Sequence, residues 1–524
     1  MPNRYFDLHF HPTLKTLFKE QQSAPSAWTE LHPPDALLGN CLESQACLTQ
    51  VANCVGFNLL SFSWHPPEMG MVDQWLLRLA SRVYTSVLGR SRLKDLAKGT
   101  ADYNQVMKEE WHNLISKPGI RQIKVLSTLD EYTNDDKKFS IVVNIEGGHT
   151  FYRSSNSTEN MDRQYLENRL TELKAGKVIT YLTPAHLTNN IFINHAYGNK
   201  ILSKKHFIPT GYGISEQGKE LIDVAYCQNV LVDVKHMSLI ARRQFYDIHR
   251  KKYSNKPIIA SHVGLTGISW NRIETFDHWE GTGFVRVTQK KKGGLLSGTY
   301  HNPNSVNLYR EDVVEILKSG GLIGISLDLR ILGAQRNFFG ALTYHDKEFV
   351  SIAEFREWSN SALNAVNLKE NWEKYSLNES EEEIWSKEDL DDQADEIREL
   401  FPSKDQVYGD HIPELETVLN VQFKDRSDEH VRYFINHVLT IVKICQEENL
   451  DINPWEHVCI GSDFDGLISA IHCCRNATQF PAFAQLVEKF LPAEAAKAQI
   501  TVPPNVIDNL FFDNGYNFLK KHFS

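Results

Sequence analysis

Residues 140–149 read SIVVNIEGGH, and this stretch decides between the architectures open to the chain. A mostly apolar, β-branched run ends abruptly in Glu146, two glycines and His149. Runs of this length suit strands buried on both faces, as in a parallel sheet. A carboxylate at the end of such a strand needs a partner, and Gly147-Gly148 lets the backbone turn away without steric conflict. Seven further runs repeat the pattern: Tyr5–His9, Val55–Phe62, Val178–Leu182, Val230–Val234, Pro257–Ser261, Leu322–Leu327 and His457–Gly461. Helical patterns such as Glu216–Gln228 and Arg310–Ser319 lie between many of them. Eight strands alternating with helices predict an α/β fold, a (β/α)8 TIM-type barrel. The rival is a doubly wound open sheet, but no Gly-x-Gly-x-x-Gly follows the first run.

Other strand ends also finish on metal-ligand residue types. The first run leads into His9-Phe10-His11, and residues i and i+2 of an extended chain point the same way. The fourth reaches His186 through Thr183-Pro184-Ala185, the fifth enters Lys235-His236-Met237-Ser238, and the sixth enters Ser261-His262-Val263-Gly264. The eighth ends in Gly461-Ser462-Asp463-Phe464-Asp465-Gly466. Any one of these histidines, taken alone, reads more simply as a hydrogen-bonded structural residue. Their joint placement at the same end of six strands points to a site at the barrel's C-terminal face.

The rest of the composition bounds the reading. A chain of 524 residues with 41% hydrophobic residues can bury a large core as one domain, residues 1–524. Two stretches break the alternation and read as loop insertions, at about 270–303 and 333–428. The first contains the polar loop signature Lys290-Lys291-Lys292-Gly293-Gly294; the second contains an acidic run, Asn378–Leu400, read as a solvated helical face. A formal charge of −10 provides no basic field for nucleic acid. No apolar run is long enough to span a bilayer, and the opening residues leave no room for a signal peptide, so a cytoplasmic protein is expected. None of the eight cysteines forms a CxxC pair, and they read as reduced, mostly buried thiols.

The motifs HFHPT (9–13), NIEGGHT (144–150), LTPAHLTNN (182–190), GISEQGKELIDVAYCQNVLVDVKHMS (213–238), PIIASHVGL (257–265) and CIGSDFDG (459–466) occur in a telling order. From about residue 5 to residue 470 the chain resembles the membrane (renal) dipeptidase family of the amidohydrolase superfamily. That resemblance implies two divalent metal ions, usually Zn2+, bridged by Glu146, with His9 and His11 on one and His236 and His262 on the other. It implies that His186 contacts the substrate carbonyl oxygen, and that Asp463 passes a proton from the bridging water to the leaving amine. Asp465 is then a supporting residue. The reaction implied is hydrolysis of an amide, in a dipeptide or dipeptide-like small molecule, by a metal-bridging hydroxide. Alternatives are an amidohydrolase acting on N-acyl amino acids, lactams or lactones, and a silent barrel that binds a partner. A homodimer is the default assembly.

Two departures stand out. The family's first motif is usually His-x-Asp, whereas HFH carries one negative charge fewer and favours zinc or a later transition metal over manganese. Asn304-Ser305-Val306-Asn307-Leu308 stands where the family carries an Arg-Asn pair, and a valine cannot imitate a bidentate guanidinium. Arg330, just after the seventh run, is the candidate substitute for binding substrate.

Overall fold

The run that ends in Glu146 becomes a nine-residue strand, Lys138–Glu146, buried from Phe139 onward. The computed structural model describes residues 2–18, 26–32, 43–68, 102–117, 119–152, 161–198, 207–279, 282–289, 292–334, 347–364, 368, 376–377 and 425–524. Lys138–Glu146 pairs in parallel with Leu59–Trp64 and with Ile179–Thr183, and the latter pairs with Leu231–Val232. A short strand, Gln122–Val125, adds to its N-terminal half. A second parallel sheet holds Ile259–Val263, Leu322–Ile325 and Val458–Ile460. Single parallel bridges link the two sheets, from Asp233 to Ile259 on one side and from Phe10 to both Phe62 and Phe464 on the other. The result is a mixed α/β fold around a parallel centre.

The strands are buried on both faces because helices pack outside them while their inner side chains meet one another. Ile141, Val142, Val143 and Ile145 are all inaccessible to solvent, as are Leu59, Ile179 and Val232. Each such side chain contributes roughly 1.5–3 kcal/mol relative to exposure. The helices start where small polar residues can cap them. The Ser215 hydroxyl accepts from the Gly218 N–H ahead of Glu216–Cys227, and Ser238 does the same for Ala241 ahead of Leu239–Lys252.

Two runs differ from their sequence reading. The strand expected from Val55 starts only at Leu59, because Val55 is 71% exposed and Gly56 turns the chain at φ +85°. A side chain at Gly56 would strike the Asn3 carbonyl oxygen. Tyr5–His9 forms no regular strand and bends at Leu8 and His9, and Leu8 N–H donates to the Ile460 carbonyl at 2.9 Å. Its ladder is interrupted because the Asp7 carboxylate takes the backbone N–H groups of His9 and Ser462.

Residues 270–303 hold more order than a polar loop. Thr275–Trp279 and Phe284–Thr288 form an antiparallel pair, and Phe284–Thr288 pairs again with Lys347–Ser351. Ser376–Leu377 pairs with Thr275–Trp279. Phe276, Val285, Val287, Phe355 and Trp358 give this sheet a core of its own, which also includes Leu239 and Ile240 at the start of the helix after Ser238. The acidic run 378–400 lies outside the described residues. Among the described residues no helix is long and apolar enough to cross a membrane. Seven described cysteines are unpaired, and all of them but Cys227 are buried; Cys41 lies outside the described residues.

Candidate functional site

Glu146 ends its strand with the carboxylate at the centre of a ring of imidazoles. Its Oε1 lies 3.4 Å from His9 Nε2 and 3.5 Å from both His236 Nε2 and His262 Nε2. Its Oε2 lies 3.2 Å from His11 Nε2. His9 and His11 bring their Nε2 atoms to 3.1 Å from each other, and His236 and His262 bring theirs to 3.2 Å. All five side chains are buried. The strands' shared direction produces this convergence, since each residue sits at the same end of its own strand or just beyond it.

Neighbouring hydroxyls set the tautomers. The Tyr181 hydroxyl gives its hydrogen to the Leu8 carbonyl at 2.9 Å, so His9 Nδ1, also 2.9 Å away, must donate to it. Ser261 likewise gives its hydrogen to Asp233, so His262 Nδ1, at 2.8 Å, donates to Ser261. In both rings the proton is fixed on Nδ1 and the Nε2 lone pair faces Glu146. Lone pairs that face one another across about 3 Å are favourable only around a shared cation or proton. Two donor triads result, His9–His11–Glu146 and Glu146–His236–His262, each with its ligand atoms within 4.8 Å of one another. Both share Glu146, whose Oε1 is buried without a hydrogen-bond partner. These residues could hold metal.

Burial works to raise the Glu146 carboxyl, but the surrounding imidazoles, His9 first, outweigh it and hold the group well below the usual carboxylate range. Burial lowers His236 and His262 well below an ordinary histidine, with the Lys235 charge acting in the same sense, which favours their neutral, ligating form.

His186 stands beside the ring. Its Nε2 is 3.8 Å from Glu146 Oε1, while its Nδ1 meets Glu68 Oε2 at 2.7 Å. Burial would lower it, yet the charges of Glu68 and Glu146 raise it above an ordinary histidine. Glu68 is fastened further by the Thr188 hydroxyl at 2.7 Å and the Thr188 N–H at 3.1 Å. Burial opposes ionisation of Glu68, but the histidines around it keep its carboxyl far below the usual range.

The two aspartates after Val458–Ile460 part company. Asp463, at φ +64°, places Oδ1 3.5 Å from His11 Nε2 and groups with His9 and His262. Asp465 faces away. Its carboxylate accepts from the backbone of Gln45 and Ala46, each at 2.8 Å, and pairs with Lys15 at 2.8 Å. A Cβ at Gly466 would lie 2.1 Å from Asp463 Oδ1 and push that carboxylate from its place. Arg330 pairs with Asp328 at 2.7 Å and donates to the Leu467 carbonyl at 3.0 Å. Val306 is buried in a small apolar cluster with Ala196 and Ile331.

Sequence reasoning passed over several residues at the site. His65 follows the Leu59–Trp64 strand directly; its Nδ1 lies 3.1 Å from the Glu146 carbonyl oxygen, and it groups with Glu146 and His186. The tetrapeptide His65-Pro66-Pro67-Glu68 at that strand end was the available signal. His149 Nε2 lies 2.9 Å from the Pro66 carbonyl oxygen, holding this turn rather than the ring. Lys235 is buried next to His236; burial depresses its ammonium to about 8, against the pull of Asp463, Asp233 and Glu146.

No family model matches the chain, and no curated protein does either. Solved structures do. The probable dipeptidase PvdM from Pseudomonas aeruginosa is similar with a TM-score of 0.51 and 14% identity, over 99% of this chain and 94% of that one. A metallo peptidase from Rhodobacter sphaeroides, liganded with a phosphinate mimic of the dipeptide L-Ala-D-Ala, gives a TM-score of 0.48 and 14% identity over 100% of both chains. What the chain shares with the PvdM structure, at that identity, is the fold.

Proposed function

We propose that the chain is a metal-dependent hydrolase of the amide bond in a dipeptide or dipeptide-like small molecule. The observation that carries this reading is the pair of donor triads sharing Glu146. The bridges at Phe10 and Asp233 support a closed (β/α)8 barrel, which would place the triads at its C-terminal face. The fold shared with a probable dipeptidase supports an amide substrate.

The donor set fits the cofactor this reading needs. Imidazole nitrogens and carboxylate oxygens without thiolate suit two divalent ions, zinc foremost. His9, His11 and Glu146 would hold one, and Glu146, His236 and His262 the other. When bound, such ions supply Lewis acidity towards a carbonyl and make water more acidic. His186, whose protonated form the charges of Glu68 and Glu146 favour, donates from Nε2 to the substrate's carbonyl oxygen as negative charge grows there. Glu68 holds the ring in that orientation through Nδ1. The Asp463 carboxylate accepts a proton from the attacking water and returns it to the leaving amine nitrogen. Asp7 steadies both arms, accepting from the backbone of His9 and Ser462.

Elemental analysis of purified protein tests the reading together with a His236→Ala variant. About two zinc equivalents per chain are expected, falling on substitution along with dipeptide hydrolysis. A wild-type protein that takes up neither zinc, manganese nor iron would end the hydrolase reading.

A further inference from the structure

Two buried aspartates make the same clamp at two places among the strand ends, and only one clamp reaches an imidazole. Asp7 accepts the His9 N–H at 3.2 Å, together with the N–H and the hydroxyl of Ser462. Asp233 accepts the Lys235 N–H at 3.0 Å, together with the N–H and the hydroxyl of Ser261, at 3.1 and 2.5 Å. Beyond the serine the two diverge. Ser462 Oγ accepts the backbone N–H of Phe464 at 2.9 Å, whereas Ser261 Oγ meets His262 Nδ1 at 2.8 Å.

Asp233 also reaches the other two members of the triad Glu146–His236–His262. It accepts from the Thr183 hydroxyl at 2.6 Å, and Thr183 is the register partner of Glu146 and takes the Gly147 N–H on its carbonyl at 2.8 Å. Its contact with Lys235 N–H braces the turn that Met237 N–H closes on the Val234 carbonyl at 3.2 Å. That turn holds His236 at φ +64°. One side chain, inaccessible to solvent, is thus bonded next to all three donors.

The two oxygens of Asp233 differ in what they hold. Oδ1 takes two backbone N–H groups, which cannot turn, and Oδ2 takes two hydroxyls, which can. While Oδ2 only accepts, the Ser261 hydrogen points to it and Ser261 must accept from His262 Nδ1. Resting on the hydrolase reading, we propose that Asp233 is the positioning residue of the His236–His262 metal position. Through Ser261 it keeps the His262 proton on Nδ1 and leaves Nε2 free to ligate. Asparagine reverses this relay. The two backbone N–H groups hold the amide oxygen at the Oδ1 place, so Nδ2 donates to the hydroxyls. Ser261 then turns its hydrogen to His262 Nδ1, and the ring carries its proton on Nε2 instead. The His9–His11 position is independent of the relay, because His9 Nδ1 donates to Tyr181.

The test compares zinc-free wild type, Asp233→Asn and Asp7→Asn by nitrogen NMR of labelled histidine, with His262→Ala identifying the His262 signals. Wild type and Asp7→Asn should show the ring protonated on Nδ1, and Asp233→Asn the ring protonated on Nε2. Calorimetric zinc titration should give two equivalents in wild type and one in Asp233→Asn, the other weakened by at least about a hundredfold. Adding His262→Ala to Asp233→Asn should remove no further zinc, which locates the loss. A His262 ring unchanged in Asp233→Asn, or a folded variant that loses both equivalents or neither, would overturn the assignment. If Asp233→Asn does not fold, Ser261→Ala decides. One equivalent should then weaken by about 10–100-fold with the other unchanged, and any other result refutes the relay. A wild type that binds no metal would end the hydrolase reading, while the His262 ring would still show whether Asp233 sets its proton.

Discussion

Two sets of buried carboxylates lie close to the same loops and meet opposite fates. At the ring, the imidazoles around Glu146 hold its carboxyl well below the usual range, and its Oε1 has no hydrogen-bond donor. Against the small antiparallel sheet, Glu354 accepts from Gly213 N–H and the Ser238 hydroxyl, both at 2.7 Å. Glu348 accepts from the N–H and the hydroxyl of Ser305, at 2.8 and 2.6 Å. Burial pushes both of these carboxyls up to about 7, their hydrogen bonds only partly opposing it. One set is built to attract a cation; the other is a bracket that tolerates neutrality. Burial alone does not mark a metal site, and the nature of the facing groups does.

The sharpest break in this contrast is Glu146→Gln. The amide keeps the shape and removes the negative charge common to both triads, so bound zinc should be lost and kcat/KM should fall by at least about 10⁴. An enzyme that keeps both its metal and its rate would remove Glu146 from the centre. The neighbouring aspartates sharpen the same point. Asp463→Asn should retain the fold and lower kcat by about 10²–10⁴, as expected when a general base is lost. Asp465→Asn should instead cost about 3 kcal/mol in denaturant unfolding, by leaving Lys15 buried without its charge partner. If the two variants exchanged these phenotypes, the assignment of Asp463 to chemistry would fall.

Much of the ring was legible because strand alternation is a local rule. His9, His11, Glu146, His186, His236, His262 and Asp463 each follow a visible apolar run, and the six strand ends that carry them are hard to place together by chance. His65 and Glu68 were missed for a local reason too. The run was read as stopping at Phe62, two residues before the strand ends at Trp64, which hid the polar tetrapeptide beyond it. The tautomer controls were not legible. Tyr181 meets His9 across 172 residues, and no spacing announces that contact. The small sheet falls between these cases. Its alternation is visible in Phe284-Val285-Arg286-Val287-Thr288, but its pairing with Lys347–Ser351 spans a long gap that sequence pattern cannot register. Lys235 was in plain view, yet only its burial distinguishes it from an ordinary surface lysine.

The bracket is tested through its dependence on pH. Glu354 titrates near 7 in the folded protein, against 4.5 for an ordinary glutamate. Below about pH 4.5 the carboxyl is protonated in both folded and unfolded chains and contributes no pH dependence. Between about 4.5 and 7 the unfolded chain releases its proton first, so stability falls as pH rises, by on the order of 3 kcal/mol once pH exceeds 7. Glu354→Gln cannot ionise, and its side-chain oxygen can still accept from Gly213 and Ser238. Wild type and variant should therefore unfold at similar denaturant concentrations at pH 5, while at pH 8 the variant should be the more stable. Zinc content should stay unchanged, because the bracket touches Ser238 rather than His236. Parallel stability profiles across that range would mean that Glu354 ionises like an exposed carboxylate, and the distinction between a charged ring and a neutral bracket would no longer hold.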